Sequence, residues 1–257
     1  LLQALRGRAM AEMNRKEEAR NVLLVAADQC TSLTQFDLVI QQIQKALGDK
    51  ETINLIQNDL KDISDTWKQL ILARMELTAN QYNVAVERLE KLESSISKDP
   101  TEERMFERMM SVSLHQTKDY AKARDYYERL IKTDPQDVTS MNNLAFLLAK
   151  ENLDRERALV LAQRAAQIVP DSAEILDTLG FIQLELDRLE EARESLLRSY
   201  SIRPMPANAL HLGVVQAKLG NRMEAADLLK QAVTLAGEAG DAETKVEAQK
   251  MLDALQK

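Results

Sequence analysis

Few side chains in this sequence have the type and spacing that chemistry would require. The two histidines, His115 and His211, stand far apart in the chain, no HExxH pattern is present, and Cys30 is the sole cysteine. A zinc site gathers three or four nitrogen and sulfur ligands, so neither histidine reads as a ligand; each reads as a solvent or groove residue. Cys30 has no histidine near it in sequence to activate it as a nucleophile, and reads as a buried or half-buried thiol. The acidic pairs Glu17-Glu18, Glu102-Glu103 and Glu190-Glu191 could supply a general acid and a general base. They fall where helices are expected to begin, and the positive end of the helix dipole accounts for carboxylates there without catalysis. No glycine-rich phosphate loop is present. The chain is therefore read as non-enzymatic, with no metal and no cofactor.

Composition and spacing are more informative. The 257 residues include only seven glycines and five prolines, where an average chain carries about 12% of the two together. Turn-rich β folds need those residues, so this chain should be mostly helix. With 45% hydrophobic and 29% charged residues it can bury a core. Its longest uncharged stretch, Pro204 to Ala217, is too short to cross a bilayer, which takes about 20 apolar residues. A net charge of −7 argues against a nucleic-acid backbone as the partner. One cysteine excludes an internal disulfide. The sequence opens at Leu1 with neither methionine nor a basic-then-apolar leader, which reads as a segment of something longer.

Four prolines, Pro100, Pro135, Pro170 and Pro204, are spaced 35, 35 and 34 residues apart. Each interval holds two stretches with apolar residues at three-four spacing. In the clearest, Ile175, Leu176, Leu179, Ile182 and Leu186 precede an Asp187-Arg188 turn, followed by Leu189, Ala192, Leu196 and Leu197. So short a turn forces the two helices antiparallel. Helices approach closely where a small residue replaces a bulky one, and one small residue per helix recurs: Gly7 with Ala19, Ala73 with Ala85, Ser111 with Ala123, Gly180 with Ala192, Gly213 with Ala225, all twelve apart. Ala145 with Ala158 is thirteen apart, with an extra residue in the Asn152-Leu153-Asp154 turn.

This register resembles the tetratricopeptide repeat family, a 34-residue helix-turn-helix unit with Leu-Gly in its first helix, Ala and a bulky residue four later in its second, and a closing Pro. Leu179-Gly180 and Leu212-Gly213 match the first element, Ala123 with Tyr127 and Ala192 with Leu196 the second, and the spaced prolines the third. The resemblance implies an all-α, right-handed superhelical solenoid of antiparallel helix pairs. The expected repeats are 1–31, 66–100, 101–135, 136–170, 171–204 and 205–237 in one continuous array. Residues 32–65 fill one repeat's space but place Ile40 and Thr52 where small residues belong. They read as a degenerate hairpin, Thr34 to Leu47 and Lys50 to Asp62, whose helices stand further apart. Gly237 and Gly240 are expected to break the chain before a capping helix, Ala242 to Gln256, within 241–257.

In this family the first helix of each unit lines a concave face, which implies a groove carrying Leu70, Arg74, Arg108, Val112, His115, Asn142, Phe146, Asp177, Phe181, Leu210 and Val214. Phe146 and Phe181 should stand in adjacent units, and paired exposed aromatics mark a binding surface. The competing reading is that neighbouring helices, or the chain's own end, cover them. The cluster of Lys, Arg and Asn that chaperone-binding members use to hold a carboxylate is missing, since Val112, Phe146 and Asp177 occupy those places. The expected function is a non-catalytic scaffold holding a peptide or helix of a partner protein in the groove. The alternatives are self-assembly into a homo-oligomer through an end exposing Leu1, Leu2 and Leu5, or a regulatory segment of a longer enzyme or envelope export protein. Residues 142–149 and 177–180 also resemble tetratricopeptide proteins of bacterial exopolysaccharide export, which points to the periplasm, with the cytoplasm as the alternative.

Overall fold

The computed structural model describes residues 1–255, and all regular structure among them is helical. The helices fall into two compact units, Leu1–Tyr126 and Tyr127–Lys257. The first holds α1 (Leu2–Glu12), α2 (Lys16–Asp28), α3 (Leu33–Leu47), α4 (Asp49–Asn58), α5 (Asp65–Thr78), α6 (Tyr82–Leu92) and α7 (Pro100–Gln116). The boundary passes through α8 (Tyr120–Thr133). The second unit adds α9 (Val138–Lys150), α10 (Arg155–Ile168), α11 (Ala173–Glu185), α12 (Leu189–Ile202), α13 (Pro206–Lys218), α14 (Arg222–Ala239) and α15 (Ala242–Leu255).

Three of the hairpins close on glycine. A β-carbon built on Gly180 would stand 2.4 Å from Leu196 Cγ, one on Gly7 2.6 Å from Leu23 Cγ, and one on Gly213 2.9 Å from Leu229 Cγ. All three leucines are fully buried, so the missing side chain of the first helix is the socket for the second. Interior density leaves no room to spare at such a contact. Further layers stack on these pairs. Leu184, Ala192, Leu196, Leu212, Val215 and Leu228 form one core cluster of α11 to α14, and Leu210, Leu229, Ala232, Ala248 and Leu252 join α13 and α14 to α15.

The turns are as regular as the contacts. Seven residues after each small residue the chain enters the left-handed region: Asn14, Asn80, Lys118, Asn152, Asp187 and Gly220 have φ of 62, 57, 65, 52, 57 and 85°. The amide of Asn14 bonds Ala11 O and that of Arg15 bonds Met10 O, and the same pattern recurs through Gly220 to Ala217 O and Asn221 to Gln216 O. This is the Schellman arrangement, which satisfies the last carbonyls of the first helix. Five of the six residues are Asn, Asp or Gly, the types that adopt this conformation at least cost. Lys118 is the exception.

Several expectations change. Gly237 lies inside α14 and does not break it; the break is Gly240, at φ 71°. Pro100 is the first residue of α7, behind the Asp99 cap, whereas Pro135, Pro170 and Pro204 lie in the connections ahead of α9, α11 and α13, so equal sequence spacing hides unequal positions. Residues 32–65 form α3 and α4, with α4 ending at Asn58 and not Asp62. Thr52 is buried there because its Oγ1 donates to Gly48 O at 2.7 Å. The last residue expected in the capping helix, Gln256, lies outside the described residues.

Two outcomes follow for stability. Gly180→Ala should lower stability by about 1–3 kcal/mol through overpacking, while Gly237→Ala, whose nearest neighbour would be Lys245 Nζ at 3.7 Å, should be neutral or stabilising by up to about 1 kcal/mol. Urea denaturation of both variants checks the contrast, and equal midpoints would contradict the socket. Lys118→Asn should raise stability by about 0.5–1 kcal/mol by relieving the left-handed strain, read from the same curves.

Candidate functional site

The first helices of the second unit are positioned by polar caps at their starts. Asp137 accepts from Ser140 N and Ser140 Oγ ahead of α9, at 3.2 and 3.0 Å, and Ser172 accepts from Ile175 N ahead of α11. At α13 the buried Asn208 accepts from Met205 N at 2.8 Å and donates to Ser199 Oγ and Arg203 O, each at 2.9 Å. These bonds satisfy otherwise orphaned amides and fix where each helix begins, hence which residues face outward.

What faces outward is an aromatic row. The Phe146 and Phe181 rings are 5.5 Å apart, centroid to centroid, tilted by 42°, and Phe181 is 5.0 Å from the His211 ring, tilted by 32°. All three residues are half-buried. At one end Lys150 Nζ lies 5.4 Å from the Phe146 centroid, in the range of a cation–π contact, and 3.9 Å from Glu243 of α15. At the other, His211 Nδ1 is 2.8 Å from Asp177 Oδ1, with the two side chains 16% and 12% exposed. Burial by itself would push the His211 imidazole down. The charge and hydrogen bond of Asp177 outweigh it, Glu247 and Glu185 add to them, and the pKa is raised.

The expected groove residues separate into those that meet and those that do not. Asn142, Phe146, Asp177 and Phe181 occur together, with Asn142 Oδ1 buried and lacking a hydrogen-bond partner among the described residues. Val214 is half-buried at the edge of two core clusters. Leu210 is not on the surface: it is buried against α14 and α15, and His211 takes the place beside Asp177. Leu70 of the first unit is likewise fully buried and offers nothing to a partner. Arg74 Nε lies 2.7 Å from Asp37 Oδ1. Nearby in that unit a cleft of about 380 Å³ is lined by Asp37, Pro100, Thr101, Arg104, Met105 and Arg108. Val112 and His115 are half-buried, the His115 ring meeting Tyr120 edge-on at 5.8 Å.

The residues set aside as catalytic candidates have structural surroundings. Cys30 is buried, its Sγ donates to Ala26 O at 3.4 Å, and burial pushes the thiol pKa up, away from a reactive thiolate. The acidic pairs occupy the first turns of α2, α7 and α12. Glu102 has a further role, holding Trp67 Nε1 at 2.6 Å and Ser97 Oγ at 2.6 Å.

The comparisons with known proteins agree with this architecture. A sequence model of the tetratricopeptide repeat matches residues 109–137 and 173–204. No curated protein matches the chain. Among solved structures, TTC0263, a thermophilic TPR protein of Thermus thermophilus, is similar with a TM-score of 0.58 at 18% identity, over 73% of this chain and 98% of its own. MamA from Desulfovibrio magneticus RS-1, residue 41 to its end, gives 0.55 at 18% identity, over 68% and 97%. At that identity the likeness is one of fold. Residues 109–137 and 173–204 are matched as tetratricopeptide repeats, and the helix-pair architecture of the described residues is similar to that of tetratricopeptide-repeat structures.

Proposed function

We propose that the chain is a non-catalytic scaffold that holds a helix or extended apolar peptide of a partner protein against the first helices of its second unit. Tetratricopeptide repeats serve generally as protein-interaction scaffolds, and the aromatic row gives that general role a specific seat. The observation that carries it is the row Phe146–Phe181–His211: three stacked rings on three successive first helices, half-buried where the core has no further use for them. Aromatic side chains of this kind anchor partners because they offer large apolar area with little conformational freedom to lose. The rim adds polar contacts from Lys150, Asn142 and Asp177. An amphipathic helix presents an apolar stripe with polar flanks, and it matches such a row.

Phe146→Ser with Phe181→Ser should abolish recovery of the partner when the immobilised chain is exposed to extract of its source cells. Helicity by circular dichroism should be retained, because both phenylalanines are half-buried and stand about 100° round their helices from the hairpin contacts at Ala145 and Gly180. Undiminished recovery would show that the groove is elsewhere. The His211–Asp177 pair makes a separate prediction. A histidine pKa raised by folding adds stability that is fully present below the unfolded value of about 6.5 and is lost as pH rises through the higher folded value. The stability difference between the wild type and His211→Gln should therefore shrink steadily across that window, measured by urea denaturation at several pH values.

A further inference from the structure

The row Phe146, Phe181 and His211 already holds one cation of the chain's own. Lys150 Nζ stands over the Phe146 ring, 5.4 Å from its centroid, and 3.9 Å from Glu243 Oε1. That contact joins α9 to α15 across α11 and α13, so the start of α15 borders the row. Glu247 follows Glu243 by four residues, about 40° round the helix, and shares its face. It adds to Asp177 and ahead of Glu185 in raising the His211 pKa, as a carboxylate near that ring must.

The charges beside the row are paired off, with one exception. Lys150 has Glu243, and His211 has Asp177 at 2.8 Å. Glu185 is taken by Arg155 at 2.6 Å, and Lys218 by Asp187 at 3.3 Å. Glu247 is exposed and makes no ion pair among the described residues. On α9, one turn before Phe146, the buried Oδ1 of Asn142 also lacks a donor. An aromatic face, a carboxylate and an amide oxygen differ in kind, yet each presents negative potential and each is satisfied by an N–H group or an ammonium. A partner carboxylate would instead meet Glu247 with like charge.

We infer that the segment held by this row is basic: a helix or peptide whose apolar stripe is flanked by lysine or arginine, one of which pairs with Glu247. The inference rests on the groove reading above and adds the sign of the partner's charge to it. The partner's cation repeats what Lys150 does at Phe146, with its aliphatic stem along a ring and its charged head at a carboxylate beyond.

Two peptides of about 18 residues are long enough, at 1.5 Å per residue, to cross three helices about 9 Å apart. Both would carry the same leucine stripe, flanked by lysine in one and by glutamate in the other. Fluorescence anisotropy against the whole chain should show the lysine peptide binding at least about tenfold more tightly at about 50 mM salt, and the preference should shrink by about 500 mM. Glu247→Gln should weaken the lysine peptide about two- to fivefold. Glu224→Gln, which removes an exposed carboxylate from the first turn of α14, should leave it unchanged. Phe146→Ser with Phe181→Ser should abolish its binding. If both peptides bind equally and both are lost in the double serine variant, the groove stands and the basic partner is overturned. A lysine peptide that keeps its affinity in that variant is held elsewhere, and the groove falls with the inference. Equal losses in Glu247→Gln and Glu224→Gln would overturn the pairing with Glu247. Binding of neither peptide up to about 1 mM would overturn the inference together with the groove.

Discussion

The regular hairpins of this chain depend on a contact that admits only a small side chain, and at three of them no side chain at all. At Gly7, Gly180 and Gly213 the second helix of the hairpin drives a buried leucine into space that any β-carbon would fill. The close approach sets how near the paired helices lie, and that in turn determines which faces remain to stack on neighbours. Ala19, Ala192 and Ala225 on the second helix are fully buried as well, so the approach is permitted from both sides. Were the pairs further apart, core clusters such as that of Leu184, Leu196, Leu212 and Val215 would be opened to water. Residues 32–65 show a different solution, in which Ile40 and Thr52 are buried without any such socket, Thr52 by turning its hydroxyl back to the helix.

This contact is legible in the sequence because it constrains residue type directly: only a small residue fits, and the pattern survives as small residues twelve apart. The turn seven residues later is equally open to view, since Asn, Asp and Gly stand at five of its six positions. Their significance appears only with the backbone angles. The expected break at Gly237 fails because a glycine in a last helical turn costs only about 1 kcal/mol, too little to end the helix. Glycine marks an end where the backbone turns left-handed, as at Gly240.

The aromatic row is half legible. Phe146 and Phe181 sit at equal register in adjacent repeats, and equal register brings them together. His211 escapes the same reasoning, which selects Leu210 instead, because the outcome turns on α15. That helix draws Leu210 inward through Ala248 and Leu252, and a hydrophobic residue follows the larger apolar cover. The next position along, about 100° round the helix, is then left to face Asp177. Register within one repeat therefore predicts faces well in the interior of the array and less well beside the last helix, where the neighbour is no repeat.

The regular left-handed turns have a consequence for how the chain acquires its structure. The hairpins with a left-handed turn reverse direction through hydrogen bonds between residues only three or five apart in sequence, such as Asp187 to Leu184 and Arg188 to Gln183, and the sockets at Gly7, Gly180 and Gly213 join residues sixteen apart. Such short loops cost little entropy to close, so the topology is one of low contact order, the kind associated with fast folding. Each helix pair can then serve as a template for the next, and ordering spreads along the array from whichever pair closes first. On this view a change in one turn acts on the speed of assembly as much as on the finished structure.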